Sequence, residues 1–254
     1  MCRSRHRLVQ AVAVVALALC VLGGPALALV GGPSFAAQLA AGKKPAAPRP
    51  IVLRLTYTVV LGDAPASIAR RYGVTTTQLL KANKLRASSV LRPGRVLRIP
   101  NLVVPGALAA RLPRPLLARA DRLRFVALFQ AAAKEFRVPS DLLMALAYRE
   151  SNWNPAARSR SGAMGVGQLM PTTVTFVSQR LLRSPRALDP WEPADNIRMS
   201  ARTLRYLLDL NRGDTTRTLA SYYQGFASVT RQGVLPIGQR YADSIVALRP
   251  QFVA

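Results

Sequence analysis

Leu142-Leu143-Met144-Ala145-Leu146-Ala147-Tyr148-Arg149-Glu150-Ser151-Asn152-Trp153-Asn154-Pro155, followed by Ser159 and by Ser161-Gly162-Ala163-Met164-Gly165-Val166-Gly167-Gln168-Leu169-Met170-Pro171, is the stretch from which the fold is read. Pro139-Ser140-Asp141 is a helix start, and Leu142, Leu143, Ala145 and Leu146 recur at helical spacing, so residues 142–149 are expected to be a helix. Glu150 stands four residues after Leu146 and so extends that apolar face. Burial disfavours its anion, and so does the negative end of the helix dipole. A general acid working near neutrality needs that upward shift. Gly162, Gly165 and Gly167 allow the backbone to turn tightly or to pass close to a ligand. Met164, Leu169 and Met170 can wall the carboxyl, while Ser159 and Gln168 can hydrogen-bond polar groups of a ligand. The chain has two other glutamates. Glu135 sits on a polar helix face and reads as solvated; Glu192 precedes Pro193 and reads as helix-start electrostatics.

Outward from this stretch the periods remain helical. Leu123, Val126, Ala127 and Phe129 run into Ala133 and Phe136, and further helices are expected over residues 171–182, 193–210, 215–223 and 239–248. Residues 121–254 are therefore expected to be a mainly α domain. Before it, residues 101–120 carry Pro105, Gly106, Pro113 and Pro115 and read as a linker. Residues 51–100 have another pattern. Leu53, Leu55, Tyr57 and Val59 alternate as one face of a strand, and Asp63 is suited to cap a helix containing Ile68 and Tyr72 that Gly73 ends. Thr75 to Thr77 can cap a second helix reaching Asn83, and residues 96–99 form a second strand after the Pro93-Gly94 turn. The order is βααβ.

The N-terminus reads as an export signal. Arg3, Arg5 and Arg7 precede an apolar run from Leu8 to Leu22, Gly23-Gly24-Pro25 breaks it, and Ala26-Leu27-Ala28 offers a cleavage site. Residues 1–28 are thus expected to be a signal peptide and residues 29–50 a Pro/Ala-rich tether. The apolar run is shorter than the roughly 20 residues that span a bilayer, so no stable membrane span is expected after cleavage. Leu19 before Cys20 disfavours a lipoprotein reading. Cys2, Cys20 and His6 are the only residues of their kinds and all lie in the signal, so the mature chain has neither Cys nor His. That excludes a Ser-His-Asp triad, a Cys-His peptidase and a zinc-water hydrolase of the usual ligand sets; no metal or cofactor is expected.

Two resemblances sharpen this. Tyr57-Thr58-Val59-Val60-Leu61-Gly62-Asp63, Ile68-Ala69-Arg70-Arg71-Tyr72-Gly73-Val74, Leu79-Leu80-Lys81-Ala82-Asn83 and Leu97-Arg98-Ile99-Pro100 resemble a LysM module, a family that binds N-acetylglucosamine glycans in a shallow groove. The resemblance places that groove at Gly62, Asp63, Ala64 and Pro65, facing Leu91, Arg92 and Pro93. Ala64-Pro65 departs from the hydroxyl residue and Leu usual there. Glu150-Ser151, Ser159, Gly162-Ala163, Gly165, Gln168 and Met170-Pro171 resemble the lytic transglycosylase branch of the lysozyme superfamily. Asp195-Asn196-Ile197, Tyr206-Leu207 and Tyr241 match further segments of that family. Its Ala-Tyr-Asn-Ala-Gly motif stands here as Ser221-Tyr222-Tyr223-Gln224-Gly225, so Tyr222 carries over and Tyr223 replaces the Asn, with Gln224 or the Tyr223 hydroxyl as substitutes for its contact.

The resemblance implies a lysozyme-like helical domain with Glu150 as the catalytic residue and Ser159, Gln168, Met170, Tyr222 and Gln224 against substrate. The reaction implied is cleavage of the N-acetylmuramic acid–N-acetylglucosamine bond of peptidoglycan, closing a 1,6-anhydro ring with the sugar's own C6 hydroxyl. No acidic residue follows Glu150 in sequence before Asp189, whereas ordinary glycoside hydrolases pair two carboxylates. A muramidase using water, and a wall-binding protein without turnover, are the alternatives. The chain carries 36 Lys and Arg against 11 Asp and Glu, and residues 43–100 hold twelve basic residues and one acidic. Besides glycan strands, such a charge suits anionic envelope polymers. Nucleic acid is not expected as a partner, since neither a zinc finger, a basic zipper nor an aromatic platform is present. The expected location is secreted, at the cell wall.

Overall fold

The computed structural model describes residues 46–253. The expected signal peptide, and the tether as far as residue 45, lie outside the described residues; residues 46–50 are exposed and without regular structure. Strand β1 (Ile51–Leu53) and strand β2 (Thr56–Thr58) replace the single strand expected there. They separate because they pair with different partners. β2 runs antiparallel to β3 (Val96–Arg98), with Tyr57 opposite Leu97, whereas β1 runs antiparallel to β4 (Leu102–Val104), with Ile51 opposite Val104. Between β2 and β3 lie helix α1 (Pro65–Arg71) and helix α2 (Thr76–Ala82). Thr75 caps α2 as expected, accepting from the Gln78 N–H at 3.1 Å. Asp63 does not cap α1. Its carboxylate accepts from the Tyr57 hydroxyl at 2.7 Å and the Val60 N–H at 2.8 Å, locking the turn. Ser67 serves the helix start, accepting from the Ala64 N–H. Val59, Ile68, Ala69, Tyr72, Leu79, Leu97 and Ile99 close a small core.

Residues 101–120 are not a linker. They hold β4 and two single-turn helices, Gly106–Ala109 and Arg114–Leu117, whose Leu108, Leu112 and Leu116 are buried. Those leucines recur every fourth residue, a helical stripe that the prolines obscured. Pro105 and Pro113 precede the first helical residue, where a fixed φ and a missing N–H do no harm, so they start turns rather than break them.

The larger domain packs around helix α4 (Ser140–Ser151), preceded by α3 (Phe125–Phe136). Six consecutive residues of α4, Leu142 to Ala147, are buried, and a helix apolar on every side belongs inside a core. α5 (Pro171–Phe176) runs into a π-helical turn, Val177–Leu181, and α6 (Pro193–Leu210), α7 (Thr215–Gln224), α8 (Phe226–Gln232) and α9 (Pro236–Leu248) follow. Trp153 is fully buried against Phe129 and Phe252, and its indole N–H donates to the Met144 carbonyl at 3.0 Å. No helix among the described residues is long and apolar enough to cross a membrane.

The two parts are joined by more than chain. Leu53, Leu102 and Val104 belong to the large core, and Leu55 and Val74 pack on both cores. Arg71 on α1 reaches Glu192 at the start of α6 (2.9 Å), and Arg70 lies 3.9 Å from Asp195 one turn on. Arg124 sits over the Tyr72 ring at 5.3 Å. A Cβ on Gly73 would meet Leu128 at 3.0 Å, so α1 ends directly on α3.

Candidate active site

Glu150 lies in the last turn of α4, which stops immediately after it. Asn152 and Trp153 are both left-handed, at φ of +52° and +56°. Asn tolerates that conformation; Trp153 is held in it by its buried ring. The Glu150 carboxyl is half-buried and accepts a short hydrogen bond from the Tyr241 hydroxyl on α9. Burial pushes its pKa up; the Tyr241 hydrogen bond and the Arg149 charge pull the other way without cancelling the rise. The two side chains that pull it down are a phenol and a guanidinium. The phenols of Tyr241 and Tyr222 are themselves held neutral, by burial first and then by the Glu150 charge.

The glycine-rich loop folds onto α6 rather than leaving room for a ligand. Asn196, fully buried, accepts from the Gly167 N–H at 2.7 Å and donates to the carbonyls of Met164 and Pro190 at 2.9 and 2.8 Å. A Cβ on Gly167 would lie 1.9 Å from Ser200 Oγ, and one on Gly165 would lie 2.5 Å from the Pro190 carbonyl oxygen. Those two glycines are there for packing. Gly162 has φ +89° and open space, so it serves the turn. Ser151 ties helix to loop, donating to the Val166 carbonyl at 2.6 Å.

The polar residues expected against substrate are largely committed to the protein. Ser159 Oγ accepts from the Ala163 N–H at 2.9 Å, and the Gln168 amide donates to the carbonyls of Ala157 and Gly165. Gln224 binds Ser228 and Gly233 through its nitrogen and the Leu235 N–H through its oxygen, so it braces α7 to α8. Tyr222 donates to the Gly167 carbonyl at 2.8 Å, joining α7 to the loop. Beside these lies a cavity of about 520 Å³, whose wall includes Gln168, Met170, Phe176, Tyr222, Tyr223 and Phe226. Tyr223 stacks on Tyr241, with centroids 4.7 Å apart and planes at 26°. Sequence reasoning placed Tyr241 only as a closing segment and Asn196 only as a family match. Both meet the site from far along the chain, and no local spacing marks them. Glu135 pairs with Arg198 at the surface, and Glu192 starts α6 as expected but also receives Arg71.

In the smaller domain the Val59 backbone pairs with Gly94 and Arg95, next in sequence to Arg92 and Pro93. Arg92, Ser89, Val90 and Arg95 line a shallow depression there. Gly62, Ala64 and Arg92 are exposed, and Pro65 and Leu91 are half-buried. Asp63 is engaged by Tyr57 and Val60.

Two family models match the chain. Residues 127–238 match the transglycosylase SLT domain model and residues 57–100 the LysM domain model. The chain is 30% identical over 101 residues to the soluble lytic murein transglycosylase of Escherichia coli (strain K12), covering 39% of this chain and 16% of that one. It is 33% identical over 95 residues to the transglycosylase of Enterobacteria phage PRD1, covering 37% and 32%. The crystal structure of the 70 kDa soluble lytic transglycosylase from Escherichia coli aligns with a TM-score of 0.48 at 20% identity, over 57% of this chain and 29% of that chain. The chain spans less than a quarter of the length of the first curated relatives it matches. With a βααβ unit, a helical domain built on a central buried helix, and an acid at that helix's end, this chain carries a LysM domain followed by a transglycosylase SLT domain.

Proposed function

We propose that the chain is an exported cell-wall enzyme, a lytic transglycosylase that cuts the N-acetylmuramic acid–N-acetylglucosamine bond of peptidoglycan and is held at the wall by its LysM domain. The observation that carries this is Glu150: a carboxyl with raised proton affinity, hydrogen-bonded by the Tyr241 phenol and shifted by no second carboxylate, with the Tyr223 ring that stacks on Tyr241 lining a cavity. Glu150 gives its proton to the glycosidic oxygen as the bond from muramic C1 to that oxygen breaks, and positive charge develops at C1. The Glu150 carboxylate, held by the Tyr241 hydroxyl, then takes the proton from the C6 hydroxyl as O6 bonds to C1. One carboxyl serves both steps and is regenerated. An internal nucleophile of this kind reaches effective concentrations of about 10⁵–10⁸ M, so no second carboxylate is needed to activate water.

The leader-like N-terminus supports export. The Arg-rich LysM domain suits anionic envelope polymers as well as glycan. Mass analysis of products from purified peptidoglycan tests the reading. Fragments ending in anhydromuramic acid, one water lighter than hydrolysis products, are expected; reducing ends alone would make the enzyme a muramidase. Absence of soluble fragments would leave a binding protein.

A further inference from the structure

Tyr222 and Tyr223 are consecutive on α7, so their side chains leave the helix about 100° apart. Tyr222 turns inward to the loop, donating to Gly167. Tyr223 turns outward and is 48% exposed, yet it is not free to swing: one face of its ring is covered by Tyr241, whose hydroxyl is on Glu150. Tyr223 also lines the cavity of about 520 Å³, together with Met170, Phe176, Tyr206 and Phe226. An exposed aromatic fixed by stacking, one ring away from the acid, is a prepared surface.

We propose that Tyr223 is a substrate-positioning residue whose outer ring face forms a platform for one pyranose ring of the glycan strand next to Glu150. β-Linked N-acetylhexosamines present axial C–H groups on one flat, weakly polar face. The negative face of an aromatic ring attracts such C–H edges, as it attracts the edges of other rings. Because the ring is already held by Tyr241, little side-chain freedom is lost on binding. The family motif carries Asn at this position, and Gln224 cannot replace that amide because its nitrogen and oxygen are both engaged. The platform therefore exchanges a directed hydrogen bond for an apolar contact. This deepens the proposed activity and rests on it for the identity of the sugar.

The test compares full-length wild type with Tyr223→Ala and Tyr223→Phe, using soluble glycan fragments released from peptidoglycan. Tyr223→Ala is expected to raise KM about tenfold with kcat changed less than threefold, and Tyr223→Phe, which keeps the face and loses the hydroxyl, is expected to restore KM. An unchanged KM in Tyr223→Ala, a fall confined to kcat, or an equal loss in Tyr223→Phe overturns the platform. Calorimetry separates this from failure of the activity itself. In Glu150→Gln the fragments should fill two sites, one on each domain, and adding Tyr223→Ala should weaken one about tenfold and spare the other. If wild type cuts nothing but that Tyr223-dependent site is present, the platform stands and the reaction assignment falls; loss of neither site on adding Tyr223→Ala overturns the platform.

Discussion

Glu150 sits where its charge is disfavoured, which is useful for an acid and costly for a fold. A carboxyl whose folded pKa lies above its unfolded value contributes stability that is fully present below the unfolded value, near 4.5, and is lost as pH rises through the folded value. Glu150→Gln keeps the shape without the ionisation. It should abolish fragment release, since general acid–base help alone is worth about 10²–10⁴-fold and one group does both jobs in the proposed reaction. At the same time its melting temperature, measured against wild type, should gain as pH is raised from 4.5 to 8. A variant that loses activity and shows no such pH-dependent gain would mean that Glu150 is not held against ionisation. Tyr241 works in the opposite direction. Its hydrogen bond favours the carboxylate, so Tyr241→Phe should raise the Glu150 pKa further and move the alkaline limb of the kcat/KM profile to higher pH. An unmoved or lowered limb would remove Tyr241 from the proton-holding role. Glu150 was legible because its reasons are local: a helix end and an apolar face four residues apart. Tyr241 was not, being 91 residues away. Ser159 and Gln168 are also engaged by their own loop, for a general reason. Short polar side chains in tight loops satisfy their own backbone before they serve a ligand.

At the level of elements, the helix α6 carries the site without touching the acid. Its Asn196 fastens the glycine-rich loop at two backbone groups, of Met164 and Gly167, and ties them to the Pro190 carbonyl, while Tyr222 of α7 donates to the Gly167 carbonyl of the same loop. The two packing glycines differ in a way that can be measured. Gly167 is not left-handed, and what excludes a Cβ there is the Ser200 side chain; Gly165 is at φ +70° and meets backbone. Gly167→Ala should therefore destabilise the protein by about 1–3 kcal/mol through overpacking, with Ser200→Gly recovering part of that loss in the double variant. Gly165→Ala should not be recovered by Ser200→Gly. Thermal melts of the four variants decide it, and equal rescue of both glycines would mean that the loop is free to shift. Helical periodicity made the major helices readable, with ends within a few residues. It missed α8, a seven-residue helix between two glycines whose short length gives no period to read. The alternation also merged β1 and β2 into one strand, because it reports which residues share a face and not which strand each one pairs with.

Across the whole molecule, the sequence suggests a βααβ module separated from the helical domain by a linker over residues 101–120. The structure replaces that picture. β4 lies beyond the LysM match but pairs with β1 before it, and Leu53, Leu102 and Val104 are part of the large core. The acidic start of α6, which holds the loop through Asn196, is met by Arg70 and Arg71 of α1. Glu192 is buried enough that its pKa is raised by desolvation, with Arg71 the leading counterweight. Deleting residues 51–100 therefore strips β4 of its partner, uncovers apolar side chains worth about 1.5–3 kcal/mol each, and takes the guanidinium from Glu192. At about 2–4 °C per kcal/mol for a chain of this size, the truncated protein should melt roughly 10–20 °C lower, and its cleavage of soluble fragments should fall at temperatures where the full chain is stable. Arg92→Ala is the contrasting change. It alters an exposed side chain of the proposed glycan groove and touches no core. It should weaken pelleting with insoluble peptidoglycan while leaving melting temperature and soluble cleavage at wild-type values. If the truncated chain instead melts like the full one and cuts soluble fragments as fast, the LysM domain is only an anchor, and the contacts of Arg70 and Arg71 with α6 do nothing for the site.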